Sequence, residues 1–548
     1  MNEIKKPERG NFSTRIGFIM AAAGSAVGLG NLWKFPYITW TNGGGLFVLV
    51  YLVCVVLVGL PIMISEIAIG KLSQKDPVGA FKALGGASSP FRLVGILGVL
   101  SGFVILSYYS VVAGWSIEYT IKAAQDEFKS VPRNEMNRLL SNPQNLLLMK
   151  QKAFTEAIEA QETDSIKYEL LKDAKIIDEK KTIAPEMVNL LYKDGLKDLA
   201  SELKKNNKLE FWQDKFFTRH ELRVDHVEWM SHQLLPVYSK SLFSGFLEDK
   251  SKTTLWHTVF MLMTLAIVIG GIHKGIEKFS KYLMPALLLM MIFMVMNSLM
   301  LDKEQEGIKF LLYGDSSKFN ALSVLQALGH AFFTLSLGMG AMMTYGSYMS
   351  SKENVIRDSL WVTGFDTFIA ILACMIIFPI LFVYDMNPKS SSIGMLFTAI
   401  PLELHKLNLG YLMTIVFYIL VFVAAITSAI SLLEVVVSYL SDEMGLNRKK
   451  AALTAAGLIF AAGIPSALSG DFLGMADMIA STFMLPFGGL CIALFTGFKM
   501  DMKLIRQEFV DYGFSENLFR VFYFTIRYIT PVLVLAVFAY SVAGIWKE

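Results

Sequence analysis

Cysteine is nearly missing from this sequence: Cys54, Cys374 and Cys491 are the only three in 548 residues, and each lies in an apolar run. So few and so placed, they exclude a disulfide framework and a thiolate zinc cluster, and they read as small buried hydrophobes. A surplus of either charge is lacking as well. Lys and Arg number 50 against 47 Asp and Glu, a net charge of +3, which gives no electrostatic footprint for a nucleic-acid partner. Neither His-Glu-x-x-His nor Gly-x-Ser-x-Gly occurs, and no cysteine has a histidine partner at motif spacing, so a membrane protease or acyltransferase finds no anchor. The polar start "MNEIKKPERGNFSTR" runs into apolar sequence without a small-residue cleavage pattern. No cleavable signal peptide is expected; the first apolar run itself directs the chain to the membrane.

What is abundant is apolar sequence. With 54% hydrophobic and 12% aromatic residues, the chain is too apolar for a soluble protein of this length. Runs of about 20 residues, long enough to span a bilayer, begin near residues 14, 46, 91, 254, 277, 321, 357, 408, 449, 477 and 520. The expectation is an all-α polytopic protein of eleven transmembrane helices. Basic residues cluster in alternate loops (Lys5, Lys6, Arg9, Arg15; Lys71, Lys75, Lys82; Lys274, Lys278, Lys281; Lys352, Arg357; Arg448, Lys449, Lys450; Lys499, Lys503, Arg506). The positive-inside rule then puts the N-terminus in the cytoplasm and, after eleven spans of the plasma membrane, the C-terminus outside.

Four segments follow: 1–124 with helices 1–3, 125–253 as an insert, 254–499 with helices 4–10, and 500–548 as a cytoplasmic loop with helix 11. The insert carries 43 of the 97 charged side chains, nearly balanced in sign, with helical periodicity in "EMVNLLYKDGLKDLASELKK". It reads as a soluble, mainly helical, extracytoplasmic unit. It contains no Cys and no Asn-x-Ser/Thr sequon, which favours a prokaryotic source. His220, His226 and His232 are six residues apart and so do not share a helix face; they read as solvated histidines rather than metal ligands.

Two runs contain residues that hydrocarbon tolerates poorly. "GSAVGLGNLWKFPY" (24–37) interrupts the first with glycines, Asn31 and Lys34, and "FFTLSLGMGAMMTYGSY" (332–348) interrupts the sixth with Ser336, Gly338 and Gly340. Non-helical backbone at membrane depth is tolerated only where protein encloses it or a cavity hydrates it. One glycine cluster is explained by close helix packing. Two at matched places in the two halves point to a 5+5 inverted-repeat transporter, with helices 1 and 6 broken at a binding site. At such breaks, unpaired carbonyls can bind a cation and exposed N–H groups an anion.

Those stretches, with "NGGG" (42–45) and "AAITSAISLLE" (424–434), resemble the neurotransmitter:sodium symporter family, and the likeness runs over nearly all the chain except the insert. The resemblance implies sodium-coupled symport of a small molecule by alternating access, with two sodium sites. The first would use the Ala26 carbonyl, Asn31, Thr334, Asp366 and the substrate's own carboxylate. The second would use carbonyls of Gly24, Val27 and Ala424 with the hydroxyls of Thr427 and Ser428, although such hydroxyls also commonly bond back to their own helix.

Substrate would meet Ser25, Leu29, Ile105, Tyr109, Phe333, Ser336, Met339, Ser428 and Leu432, with Tyr109 on the carboxylate and Phe333 as a lid. For each apolar member alone, core packing is the commoner meaning. Monoamine carriers of the family hold an Asp where this chain has Gly28, so the substrate should bring its own carboxylate: a neutral, hydrophobic L-amino acid. Other small carboxylate-bearing zwitterions, and a non-transporting sensor of the same fold, are the alternatives.

The family's gates map onto Lys34 with Asp477 outside, and onto Arg9 with Asp442 near Tyr348 inside. Gly275 and Pro285 resemble a family element that unwinds helix 5, and Glu66 takes the position that braces helix 6. Asp366, in place of an Asn, with Ala370 one turn on, implies chloride-independence, because the carboxylate supplies the negative charge; a protonated, purely structural Asp366 is the competing reading. The expected partners are sodium, the amino acid and the bilayer, in a monomer or weak dimer.

Overall fold

The computed structural model of the chain describes residues 10–142, 145, 224–301, 304–383, 392–407 and 409–545, and among these it is helical with no strand. The chain forms two units. The first comprises residues 1–121, 246–396 and 407–548, and the second 122–245 and 397–406. In the second unit, Ser231 Oγ accepts from Val131 N at 2.7 Å, Ser239 Oγ donates to the Thr398 carbonyl at 2.7 Å, and Phe243 stacks on Phe397. His220 lies outside the described residues, as does the side chain of His226; His232 is exposed.

The first unit contains the apolar helices. They are α1 (Arg15–Ala26), α2 (Gly30–Thr41), α3 (Gly45–Ser73), α4 (Arg92–Ala124), α5 (Lys250–Ile269), α6 (Ile272–Ser298), α7 (Ala321–Thr334), α8 (Ala341–Gly346), α9 (Val355–Phe382), α10 (Gly410–Asp442), α11 (Arg448–Leu468), α12 (Gly470–Lys499) and α13 (Glu516–Tyr540). Among the described residues nine are long and apolar enough to cross a membrane, and α1 with α2, bent by 51°, makes a tenth. The sixth expected run is instead two short helices, α7 and α8, so among the described residues ten spans, not eleven, have the length and apolar character to cross a bilayer.

Local sequence sets the ends. Thr14 caps α1 by accepting from Gly17 N at 3.1 Å, and Asn320 with Ser323 forms a capping box on α7. Between α1 and α2 the chain leaves helical geometry at Val27, whose ψ is 107°. Between α7 and α8, Ser336, Gly338 and Gly340 have φ of 53°, 78° and 76°, the left-handed region that a helix cannot use. A Cβ on Gly338 would stand 2.5 Å from the Leu485 carbonyl oxygen, so glycine there also admits α12.

Glu66, fully buried in α3, accepts from Gly338 N at 2.7 Å and so satisfies an N–H that the break leaves without a helical partner. On the same helix, a Cβ on Gly70 would fall 2.0 Å from the Met343 carbonyl oxygen, and one on Gly346 of α8 would fall 2.5 Å from that of Ile67. The α3 and α8 backbones therefore meet without side chains between them. Cys54, Cys374 and Cys491 are all unpaired.

Candidate functional site: a cavity at two broken helices

The two breaks face each other. Ser336 Oγ, in the α7–α8 break, donates to the Ser25 carbonyl at 2.8 Å, and Ser25 Oγ in turn donates to Ser431 Oγ of α10 at 2.6 Å. Beside them lies a cavity of ≈ 30 Å³, and all nine residues expected around a substrate line it: Ser25, Leu29, Ile105, Tyr109, Phe333, Ser336, Met339, Ser428 and Leu432. Ala26, Gly28, Gly30 and Thr334 complete the wall, which carries no charged side chain. A Cβ on Gly28 would lie 2.7 Å from Ser428 Oγ and 3.2 Å from the Tyr109 hydroxyl, and one on Gly30 would lie 3.0 Å from the Phe333 ring. Phe333 also walls a second cavity of ≈ 560 Å³, together with Lys34, Gln326, His330, Ser481 and Tyr540. The phenyl ring is thus the partition between the two spaces.

Two clusters of hard oxygen donors adjoin the small cavity. In one, the buried Asp366 carboxylate accepts from Asn31 Nδ2 at 2.7 Å and from Thr334 Oγ1 at 2.9 Å, while Asn31 Oδ1 accepts from Gly28 N at 3.0 Å. Asn31 is therefore fixed by backbone and carboxylate at once. In the other, Ser428 Oγ lies 3.4 Å from the Gly24 carbonyl oxygen, 3.2 Å from that of Val27 and 3.3 Å from that of Ala424. Thr427 Oγ1 bonds back to Val423 and Ala424, both at 3.1 Å, the self-satisfying arrangement common for hydroxyls in helices. Ser428 differs, since two of its three acceptors belong to the α1 end of the first break. Donor sets made of carbonyls, hydroxyls, an amide and a carboxylate suit a hard cation and not a soft one.

The gates are arranged differently from expectation. Lys34 does not pair with Asp477: its amine sits 4.6 Å over the Phe333 ring, and Asp477 accepts from the Tyr108 hydroxyl at 2.9 Å. A lysine is a compact charge without a guanidinium fork, and an aromatic face competes for it. Arg9 lies outside the described residues; Asp442 accepts from Asp76 N at 3.0 Å. Tyr348 donates to Glu434 at 2.7 Å, and Arg448 holds the same carboxylate at 2.6 and 2.9 Å. Sequence reasoning misses this group, although a glutamate inside "SLLEVV" signals that a partner must exist. It misses Glu277 too, which accepts from Ser13 N at 2.8 Å, Ser13 Oγ at 2.6 Å and Thr14 Oγ1 at 3.0 Å, and pairs with Lys281 at 2.7 Å. Glu277 ties the start of α1 to α6, and Gly17 makes room for it, since a Cβ there would overlap the carboxylate.

The profile of the Sodium:neurotransmitter symporter family matches residues 9–172 and 201–547. The chain belongs to this family. It is 28% identical over 542 residues to the uncharacterized sodium-dependent transporter YhdH of Bacillus subtilis, covering 96% of each chain. It is 24% identical to the sodium- and chloride-dependent glycine transporter 2 of Xenopus laevis, covering 97% of this chain and 64% of that one. Among solved structures it is similar to MhsT in complex with L-phenylalanine, at 31% identity and a TM-score of 0.73, covering 97% of this chain and all of that one. The symporter is a multi-pass membrane protein with the MhsT-type fold and a sodium-dependent transporter rather than an enzyme.

Proposed function

We propose that this symporter carries a neutral, hydrophobic L-amino acid together with two sodium ions by alternating access, without a requirement for chloride. One observation carries the substrate class. The wall of the small cavity has no charged side chain, and Gly28 in that wall takes the position where, by the family resemblance, monoamine carriers hold an Asp. A ligand with a carboxylate of its own is matched instead by the Tyr109 hydroxyl and the backbone around the first break. Leu29, Ile105, Phe333, Met339 and Leu432 favour an apolar side chain, with Met339 adaptable in shape. The phenylalanine bound in the MhsT structure supports the same class.

In this reading the first sodium takes Asn31, Thr334, Asp366, the Ala26 carbonyl and the substrate carboxylate, so that ion and amino acid complete each other's shell. The second takes the carbonyls of Gly24, Val27 and Ala424 with Ser428 and Thr427, and thereby joins α1 to α10. An ion bound more tightly by one conformation than by the other shifts the equilibrium between them, and that difference is the coupling. Asp366 brings a negative charge to the first site from within the protein, which removes the need for an external anion. Phe333, between the two cavities, is the lid.

The test is uptake into proteoliposomes under an imposed inward sodium gradient, with a panel of competing amino acids. Accumulation that requires sodium and is competed by phenylalanine and leucine, but not by 2-phenylethylamine, is expected. Equal competition by the amine, or no sodium-driven accumulation of any amino acid, refutes the assignment.

A further inference from the structure

Between Arg520 and Lys547 the chain carries a single charged residue, Arg527, and the facing helix carries none from 478 to 498. Arg527 lies within a five-residue π-helical stretch of α13, Thr525–Ile529, and its backbone packs against Gly497 near the end of α12, where a Cβ would come within 2.9 Å of it. Such stretches re-aim a side chain and are frequent at functional sites. The helical residues continue past Tyr540 to Ile545, so that from residue 528 there are 18 residues, about 27 Å of helix, close to the hydrocarbon thickness of a bilayer. Arg527 therefore stands at one edge of the hydrocarbon, level with the α12 terminus and on the side of Lys499, Lys503 and Arg506.

No carboxylate among the described residues pairs with it. The guanidinium is ringed by Phe498 at 4.8 Å, Tyr523 at 5.4 Å and Tyr528 at 5.6 Å, one Nη donates to the Tyr523 hydroxyl, and Nε is buried without an acceptor. Around it the surface is apolar and open: Phe498, Phe524 and Tyr528 are each half exposed or more, and Val532 and Leu535 continue the same helical stripe. A cation held by rings, with donors left over and hydrocarbon beside it, lacks only an anion that arrives with acyl chains.

We propose that Arg527 and Tyr523 form a binding site for the phosphodiester of an anionic phospholipid in the leaflet on the Lys499 side, its chains lying along Phe524, Val532 and Leu535. Arginine suits this because its planar donors match a phosphate in pairs and its face stacks on aromatic rings. The site is remote from the transport cavity and does not rest on the assignment of a substrate.

Delipidated protein is mixed with equal amounts of phosphatidylglycerol and phosphatidylcholine, and retained lipid is read by native mass spectrometry. Relative to wild type, Arg527→Gln should lower the preference for phosphatidylglycerol about fivefold, as one basic residue near an anionic surface predicts. Arg520→Gln should leave it unchanged, and Tyr523→Phe should lower it by less. Arg527→Lys, which keeps the charge, guards against misfolding of the first variant and should retain part of the preference. The proposal is overturned if Arg527→Gln, shown to be folded, keeps the wild-type preference. It is equally overturned if Arg520→Gln lowers the preference as much, or if inorganic phosphate alone displaces phosphatidylglycerol, which would make the site one for free phosphate.

Discussion

Replacing Gly28 separates shape from charge at the cavity wall. A Cβ there would stand 2.7 Å from Ser428 Oγ, so any side chain pushes that hydroxyl away from the Gly24, Val27 and Ala424 carbonyls. Leaving buried acceptors unmatched costs about 1–3 kcal/mol, or roughly 5- to 150-fold in affinity, and Gly28→Asn should show this loss alone. Gly28→Asp, of the same size, adds a carboxylate facing the substrate's own. At about 4 Å and an effective dielectric constant of about 20, that repulsion is about 4 kcal/mol, a further loss of about a thousandfold. The assay is equilibrium binding of phenylalanine and 2-phenylethylamine to purified protein at saturating sodium. Gly28→Asn should weaken both ligands alike, whereas Gly28→Asp should weaken phenylalanine far more and reverse the preference toward the amine. Equal phenylalanine losses in the two variants would refute the charge argument; no loss in either would show that Gly28 does not face the ligand.

Ser428→Ala should raise the sodium concentration for half-maximal uptake several-fold, and Thr427→Ala, whose hydroxyl is already satisfied within α10, should raise it less; unchanged sodium activation in both removes them from the ion site. Wild-type uptake should survive replacement of chloride by gluconate, while Asp366→Asn should lose sodium affinity, and strong chloride dependence of the wild type contradicts the role given to Asp366. Burial and the Asp442 and Glu443 carboxylates push Asp76, in the turn after α3, up to about 7. Its folded form thus holds a proton more tightly than an unfolded aspartate near 4, so its contribution to stability is complete below about pH 4 and is lost as pH rises toward 7, at about 1.4 kcal/mol for each pH unit crossed. Asp76→Asn keeps an N-cap and removes the titration, so its thermal midpoint should vary less from pH 5 to 8 than that of wild type; parallel profiles would show that Asp76 does not titrate there.

Both breaks were legible because glycine, asparagine and serine interrupt two apolar runs at matched places in the two halves, which helix packing alone does not explain, and the cavity residues came from the family resemblance that those motifs carry. Pairing between distant side chains was less legible. Nothing in "NLWK" says that Lys34 prefers the Phe333 ring to Asp477, since that choice depends on how a flexible amine is presented in three dimensions. Glu434, alone in an apolar run, announced a need for a partner; Glu277 did not, and Ser13 lies 264 positions from it in the chain, a distance that no local pattern carries. Arg527 could be seen as the lone charge between Arg520 and Lys547, but the rings around it come from two helices.

The attachments of α1 and α8 differ in kind, and the difference decides which can swing. At its start α1 is held by polar contacts, the hydrogen bonds to Glu277 and the ion pair of Arg15 with Asp358 at 2.6 Å, in which water can take the place of either partner. No such exchange exists for α8, because Gly70 and Gly346 seat two backbones directly on each other and Glu66 pins the adjoining break. In mechanical terms α3 and α8 form one link of the machine, rotating together or not at all, whereas α1 is a lever with a removable catch. In the alternating-access cycle proposed above, opening on the Glu277 side releases that catch, and the doorway there has one moving leaf rather than two.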